Sequence, residues 1–137
     1  MENEEYSRKQ VISKLKEILE PDENILFAYL FGSLARGQTH TYSDIDVAVY
    51  VKTLTPDEYL RIFKKLSRSF EKDIDLIMLN DAPPLLRHKV IYEGALLFCK
   101  DSKLHYKFVS STLIEALDFK ETYKIIIDGY RKYSYVG

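Results

Sequence analysis

The stretch 30–51, L-F-G-S-L-A-R-G-Q-T-H-T-Y-S-D-I-D-V-A-V-Y-V, decides the fold. An apolar run from Ile25 to Phe31 ends at Gly32-Ser33, a turn follows, and a second apolar run opens on Asp44-x-Asp46. Side chains alternate along a strand, so Asp44 and Asp46 share one face, about 7 Å apart along the chain. Two ionised carboxylates so close repel each other, and a divalent cation relieves the repulsion. Hard oxygen ligands of this kind suit Mg²⁺, which takes one or two carboxylates together with substrate phosphates. Gly32 allows close backbone approach to a ligand, and Ser33 offers a hydroxyl and an N–H where a helical turn starts, which is anion-site chemistry. A phosphate grip and a metal grip therefore fall on neighbouring strand ends.

Outward from this stretch the chain alternates helices and strands. Val11, Ile12, Leu15, Ile18 and Leu19 predict an amphipathic helix over 5–20, ended by Pro21-Asp22. Thr55-Pro56-Asp57-Glu58 combines an N-cap, a proline at the first helical position and a glutamate in the first turn. Tyr59, Ile62, Phe63, Leu66 and Phe70 line the helix that follows. The run from Asp73 to Leu79 reads as a strand. A short helix starting at Asp81 or at the prolines at 83 and 84 stops at Gly94. The run from Ala95 to Cys99 is a last short strand, and a helical pattern fills 102–133, with a bend or break expected near Asp118-Phe119. The class is α+β: a two-layer α/β arrangement in which a small mixed sheet is backed by helices. Ile45, Val47, Val49 and Val51 form its apolar face. Asp44 and Asp46, then Ala48 and Tyr50, form the other, polar at its start.

Composition bounds the function. A chain of 137 residues, 46% hydrophobic and 30% charged, fits one domain with a real core. A net charge of −1 and the lack of a basic groove with interleaved aromatics argue against direct nucleic-acid binding. One cysteine, Cys99, excludes an internal disulfide and reads as a core filler. No signal peptide and no apolar run of membrane-spanning length is present, which predicts a cytoplasmic protein without a membrane partner.

Gly32-Ser33, ten residues, then Asp44-x-Asp46 resembles the signature of the polymerase-beta-like nucleotidyltransferase superfamily. Asp73-Ile-Asp75-Leu-Ile-Met-Leu supplies the later strand carboxylate that this superfamily uses. Asp73 and Asp75 share a face, so alternation does not choose between them; the family pattern favours Asp75 as ligand and leaves Asp73 to open the strand. The short length, the stretch from Leu79 to His88 and the run Tyr92-Glu-Gly-Ala-Leu-Leu-Phe look like the minimal nucleotidyltransferases of prokaryotes, which often serve as antitoxins to HEPN-domain ribonuclease toxins.

The resemblance implies that Asp44, Asp46 and Asp75 are catalytic and hold two Mg²⁺ ions. It also implies that Gly32 and Ser33 take the phosphates of ATP. Arg36, one turn past Ser33, could reach the triphosphate, or it is a surface arginine. The implied reaction moves AMP from ATP to a tyrosine of a cognate HEPN toxin. Two alternatives remain open: transfer to a small hydroxylated molecule, as in aminoglycoside nucleotidyltransferases, and a binding-only antitoxin. Gly37 closes the turn. His40, His88 and His105 show no metal-ligand spacing; His40 and Tyr42 lie between the motif halves, where they could border the nucleotide. Eleven tyrosines, five of them after residue 105, fit either helix packing or a partner surface.

Overall fold

Ser7 starts the first helix by a reciprocal cap: its Oγ accepts the Gln10 N–H at 3.2 Å, and its own N–H donates to Gln10 Oε1 at 2.9 Å. In the computed structural model, residues 7–32, 34–35 and 44–134 are described, without the side chains of 119–134. The order is α1 (Arg8–Leu19), β1 (Ile25–Phe31), β2 (Ile45–Val51), α2 (Pro56–Ser69), β3 (Ile74–Met78), a 3-10 turn (Leu79–Asp81), α3 (Pro84–Glu93), β4 (Ala95–Cys99) and α4 (Ser102–Ser134). Thr55 caps α2 as its sequence predicts, accepting the Glu58 N–H at 3.1 Å, with Pro56 in the first turn.

The sheet order is β3-β2-β1-β4. β1 runs antiparallel to both β2 and β4, whereas β2 and β3 are parallel and need the α2 crossover between them. This is the expected mixed sheet backed by helices. One layer is added to the expected two. Val11, Leu15 and Leu19 of α1 and Ile62 and Leu66 of α2 bury Ile45, Val47, Val49 and Val51 on one face. On the other face Val90 of α3 and Phe108 of α4 pack with Phe27, Tyr29, Phe31 and Ala48, and Tyr50 lies against them. The face carrying Ala48 and Tyr50 looked half-polar because only its first positions are acidic; beyond Asp46 it is core. α4 continues through Asp118-Phe119 without the expected break.

Two local features hold the frame. Gly94 ends α3 with φ −85°, so the left-handed cap expected of a helix-ending glycine is not used. Its reason is space, since a Cβ there would run into the Val90 carbonyl and lie 3.1 Å from the Leu30 carbonyl. Asp22, just past α1, is the other feature. Its carboxylate is 4% exposed and takes Arg61 through both terminal guanidinium nitrogens, at 2.7 and 3.0 Å, and Lys65 Nζ at 2.6 Å. Burial pushes this carboxyl upward, but the hydrogen bonds from Arg61, Lys65 and the Asn24 N–H outweigh it and hold Asp22 well below the usual carboxylate range. The network ties α1's end to α2 on the sheet.

Candidate active site

The topology brings three strand termini to one end of the sheet. β1 finishes where the antiparallel β2 begins, and the parallel β3 begins beside β2. In register, Phe31 faces Asp46 and Asp46 faces Asp75. Asp46 is half-buried, Asp75 is exposed, and Asp44 is exposed just before β2. The three carboxylates singled out from the sequence therefore reach the same end of the sheet, and strand alternation puts Asp46 and Asp75 on the face that also carries α3 and α4. Asp73 precedes β3, and its carbonyl accepts the Ile45 N–H at 3.0 Å. Its backbone thus starts the β2–β3 ladder.

Gly32 has φ +79°, a region that only glycine enters cheaply. A Cβ on it would fall on Asp46 Oδ2 and lie 3.0 Å from Asp46 Cγ. The glycine is thus required twice, by its backbone and by the carboxylate against which it packs. This ties the two motif halves together physically. Ser33 and Arg36, with Gly37, His40 and Tyr42, lie outside the described residues.

The donor set suits a hard divalent cation: carboxylate oxygens, two of them register partners on adjacent strands. Among the described residues no three acidic, histidine or cysteine side chains are gathered tightly enough to enclose a metal on their own.

Sequence reasoning treated His105 as one of three scattered histidines. In the structure its Nε2 lies 2.5 Å from the Tyr29 hydroxyl, two residues before Phe31 on β1, and its ring packs edge-on to Phe27 with centroids 4.8 Å apart. Burial lowers the His105 pKa, and burial, with Cys99 nearby, pushes the Tyr29 hydroxyl up to about 12. The usable signal was spacing: His105 lies one helical turn before the buried Phe108. Its neighbour in kind, His88, stacks on Tyr92 at 5.8 Å on α3.

Residues 13–103 match the profile of the family described as Polymerase beta, Nucleotidyltransferase. The chain is 37% identical over 67 residues to the protein adenylyltransferase MntA of Shewanella oneidensis, an alignment spanning 48% of each chain, so it covers about half of that curated relative. Among solved structures it resembles a toxin–antitoxin with AMP-PNP (27% identity, TM-score 0.71, 90% of this chain and 97% of the other). It also resembles a tri-AMPylated Shewanella oneidensis HEPN toxin in complex with MNT antitoxin (25% identity, TM-score 0.69, 88% and 96%).

Proposed function

The chain belongs to the Polymerase beta nucleotidyltransferase family, and we propose that it is a protein adenylyltransferase antitoxin that moves AMP from ATP to a tyrosine of a cognate HEPN ribonuclease toxin. The observation that carries this reading is the register Phe31–Asp46–Asp75, with Gly32 packed on the Asp46 carboxylate. The named relatives, an adenylyltransferase and an AMPylated toxin–antitoxin complex, support the choice of acceptor. We read residues 1–137 as one catalytic domain working in the cytoplasm; no helix among the described residues is long and apolar enough to cross a membrane.

In this reading Gly32 and Ser33 receive the triphosphate, with Arg36 assigned to its phosphates as well. Asp44, Asp46 and Asp75 would hold Mg²⁺, two ions in all, which when bound neutralise phosphate charge and acidify an acceptor hydroxyl. The acceptor oxygen bonds to the α-phosphorus, the bond to the bridging β-phosphate oxygen breaks, and pyrophosphate leaves. Asp75, exposed at the strand edge, takes the hydroxyl proton. The chemistry needs positioning and charge neutralisation more than a protein nucleophile, and no Ser, Cys or His nucleophile is assigned. A phosphate added to the toxin near its RNA-cleaving site would repel the RNA backbone.

The test is durability. The HEPN toxin is incubated with this protein and Mg·ATP, separated from it under denaturing conditions, refolded and assayed for ribonuclease activity. Loss of activity that persists after separation, and only where ATP was present, supports transfer. Full recovery of ribonuclease activity in both arms would instead favour an antitoxin that works by occlusion.

A further inference from the structure

Among the described residues the sheet ends at β3 on one side and β4 on the other, and β3 carries Asp75. Because the Asp73 carbonyl accepts from Ile45 on β2, alternation turns the backbone groups of Asp73, Asp75 and Ile77 toward β2. Those of Ile74, Leu76 and Met78 then point away from the sheet. The Tyr59 hydroxyl confirms the direction by donating to the Leu76 carbonyl, over a long 3.4 Å. Along this edge, past Asp75, runs a cleft of about 620 Å³ lined by Leu54, Tyr59, Ile77, Met78, Pro83 and Leu86. Leu54 is 37% exposed there. The outward backbone groups of Ile74 and Met78, a Leu76 carbonyl held only by the long Tyr59 hydrogen bond, an apolar cleft beside them and an exposed candidate base at their start are the parts of a strand-addition site.

We propose that the acceptor docks by strand addition: an extended segment of the partner protein pairs with β3, sets its target hydroxyl residue opposite Asp75, and drops an apolar side chain into the cleft. The proposal rests on the transfer reading above and deepens it. Strand spacing of about 4.8 Å puts a side chain opposite Asp75 within reach of its carboxylate. A rise of about 3.3 Å per residue separates Asp75 from Ile77 and Met78 by two to three positions. The acceptor segment therefore carries an apolar residue two to four positions from its modified hydroxyl. Continuity with the carboxylates distinguishes this edge from the exposed apolar residues Leu113, Ile114 and Leu117 on α4, which lie on no catalytic strand.

Hydrogen exchange of the full chain with and without the HEPN toxin, in the presence of a non-hydrolysable ATP analogue, tests this directly. Strand addition predicts that amide exchange within 74–78 slows by about tenfold or more on toxin binding. In parallel, the Leu54→Glu and Leu86→Glu variants should raise the KM for toxin by about tenfold while kcat and Mg·ATP affinity stay within about twofold. Leu54 is exposed, so that variant keeps its fold. Protection confined to α4, with both variants transferring at the wild-type KM, overturns the proposal. Protection of β3 without any AMP transfer would retain the docking edge and remove the transfer reading instead.

Discussion

Asp44, Asp46 and Asp75 differ in setting, and their variants should differ accordingly. Asp46 is half-buried against Gly32, whereas Asp75 is exposed on β3. Replacing Asp44 or Asp46 by Asn should abolish nearly all transfer and weaken Mg·ATP binding, because in the proposed site each would lose a metal ligand on the nucleotide side. Asp75→Asn should abolish transfer yet keep most nucleotide affinity; titration calorimetry beside an activity assay separates the two. Wild-type transfer by the Asp46 variant would refute the metal-ligand reading. Gly32→Ala adds a Cβ in a left-handed backbone that meets the Asp46 carboxylate. It should cost about 1–3 kcal/mol of stability and reduce Mg·ATP affinity together. A thermal melt and a nucleotide titration on the same sample check both losses, and unchanged affinity would show that Asp46 does not depend on this glycine.

At the scale of elements, the Asp22–Arg61–Lys65 network is the joint between α1 and α2. Arg61→Met leaves the buried Asp22 carboxylate with Lys65 as its remaining cation and should cost about 1–3 kcal/mol in denaturant unfolding. The pH dependence follows from two depressed groups. His105 in the fold lies below its usual 6.5, so its contribution is complete above that value and declines as pH falls through it. Asp22 lies far below its usual 3.8, so its contribution holds above that value and is lost in stronger acid. Stability should thus fall in two stages on acidification, and His105→Gln should remove the first stage in a pH series of melts. The strands and the α2 cap were legible because each rests on local chemistry: Thr55 as a cap, Ile25 to Phe31 as an unbroken apolar run; the Ser7 cap was not read, because the apolar spacing carried the expected helix back to residue 5, past it. The Asp22 network was not, since its partners lie 39 and 43 residues away and no local pattern marks a buried aspartate. The third layer was hidden for a related reason: Ala48 and Tyr50 are ambiguous until Phe108 arrives from α4 to cover them.

For the whole molecule, one small sheet forms the core and presents the candidate carboxylates at one end, with helices on either face. The candidate site was legible to the extent that strand alternation fixes faces. Gly32 and Asp46 lie at facing ends of β1 and β2, and their meeting follows from the antiparallel return of β2 along β1. The pairing of Asp46 with Asp75 depends on the α2 crossover, which spacing alone does not specify, and only the family pattern pointed to it. The partner is the part furthest from the sequence: it entered only through the family resemblance, not through any residue pattern. The decisive measurement is the intact mass of the HEPN toxin after incubation with Mg·ATP and either the wild-type protein or its Asp44→Asn variant. The account predicts toxin heavier by whole AMP units, on a tyrosine, with wild type and none with the variant. An unchanged toxin mass with wild-type protein that still neutralises it would contradict the account.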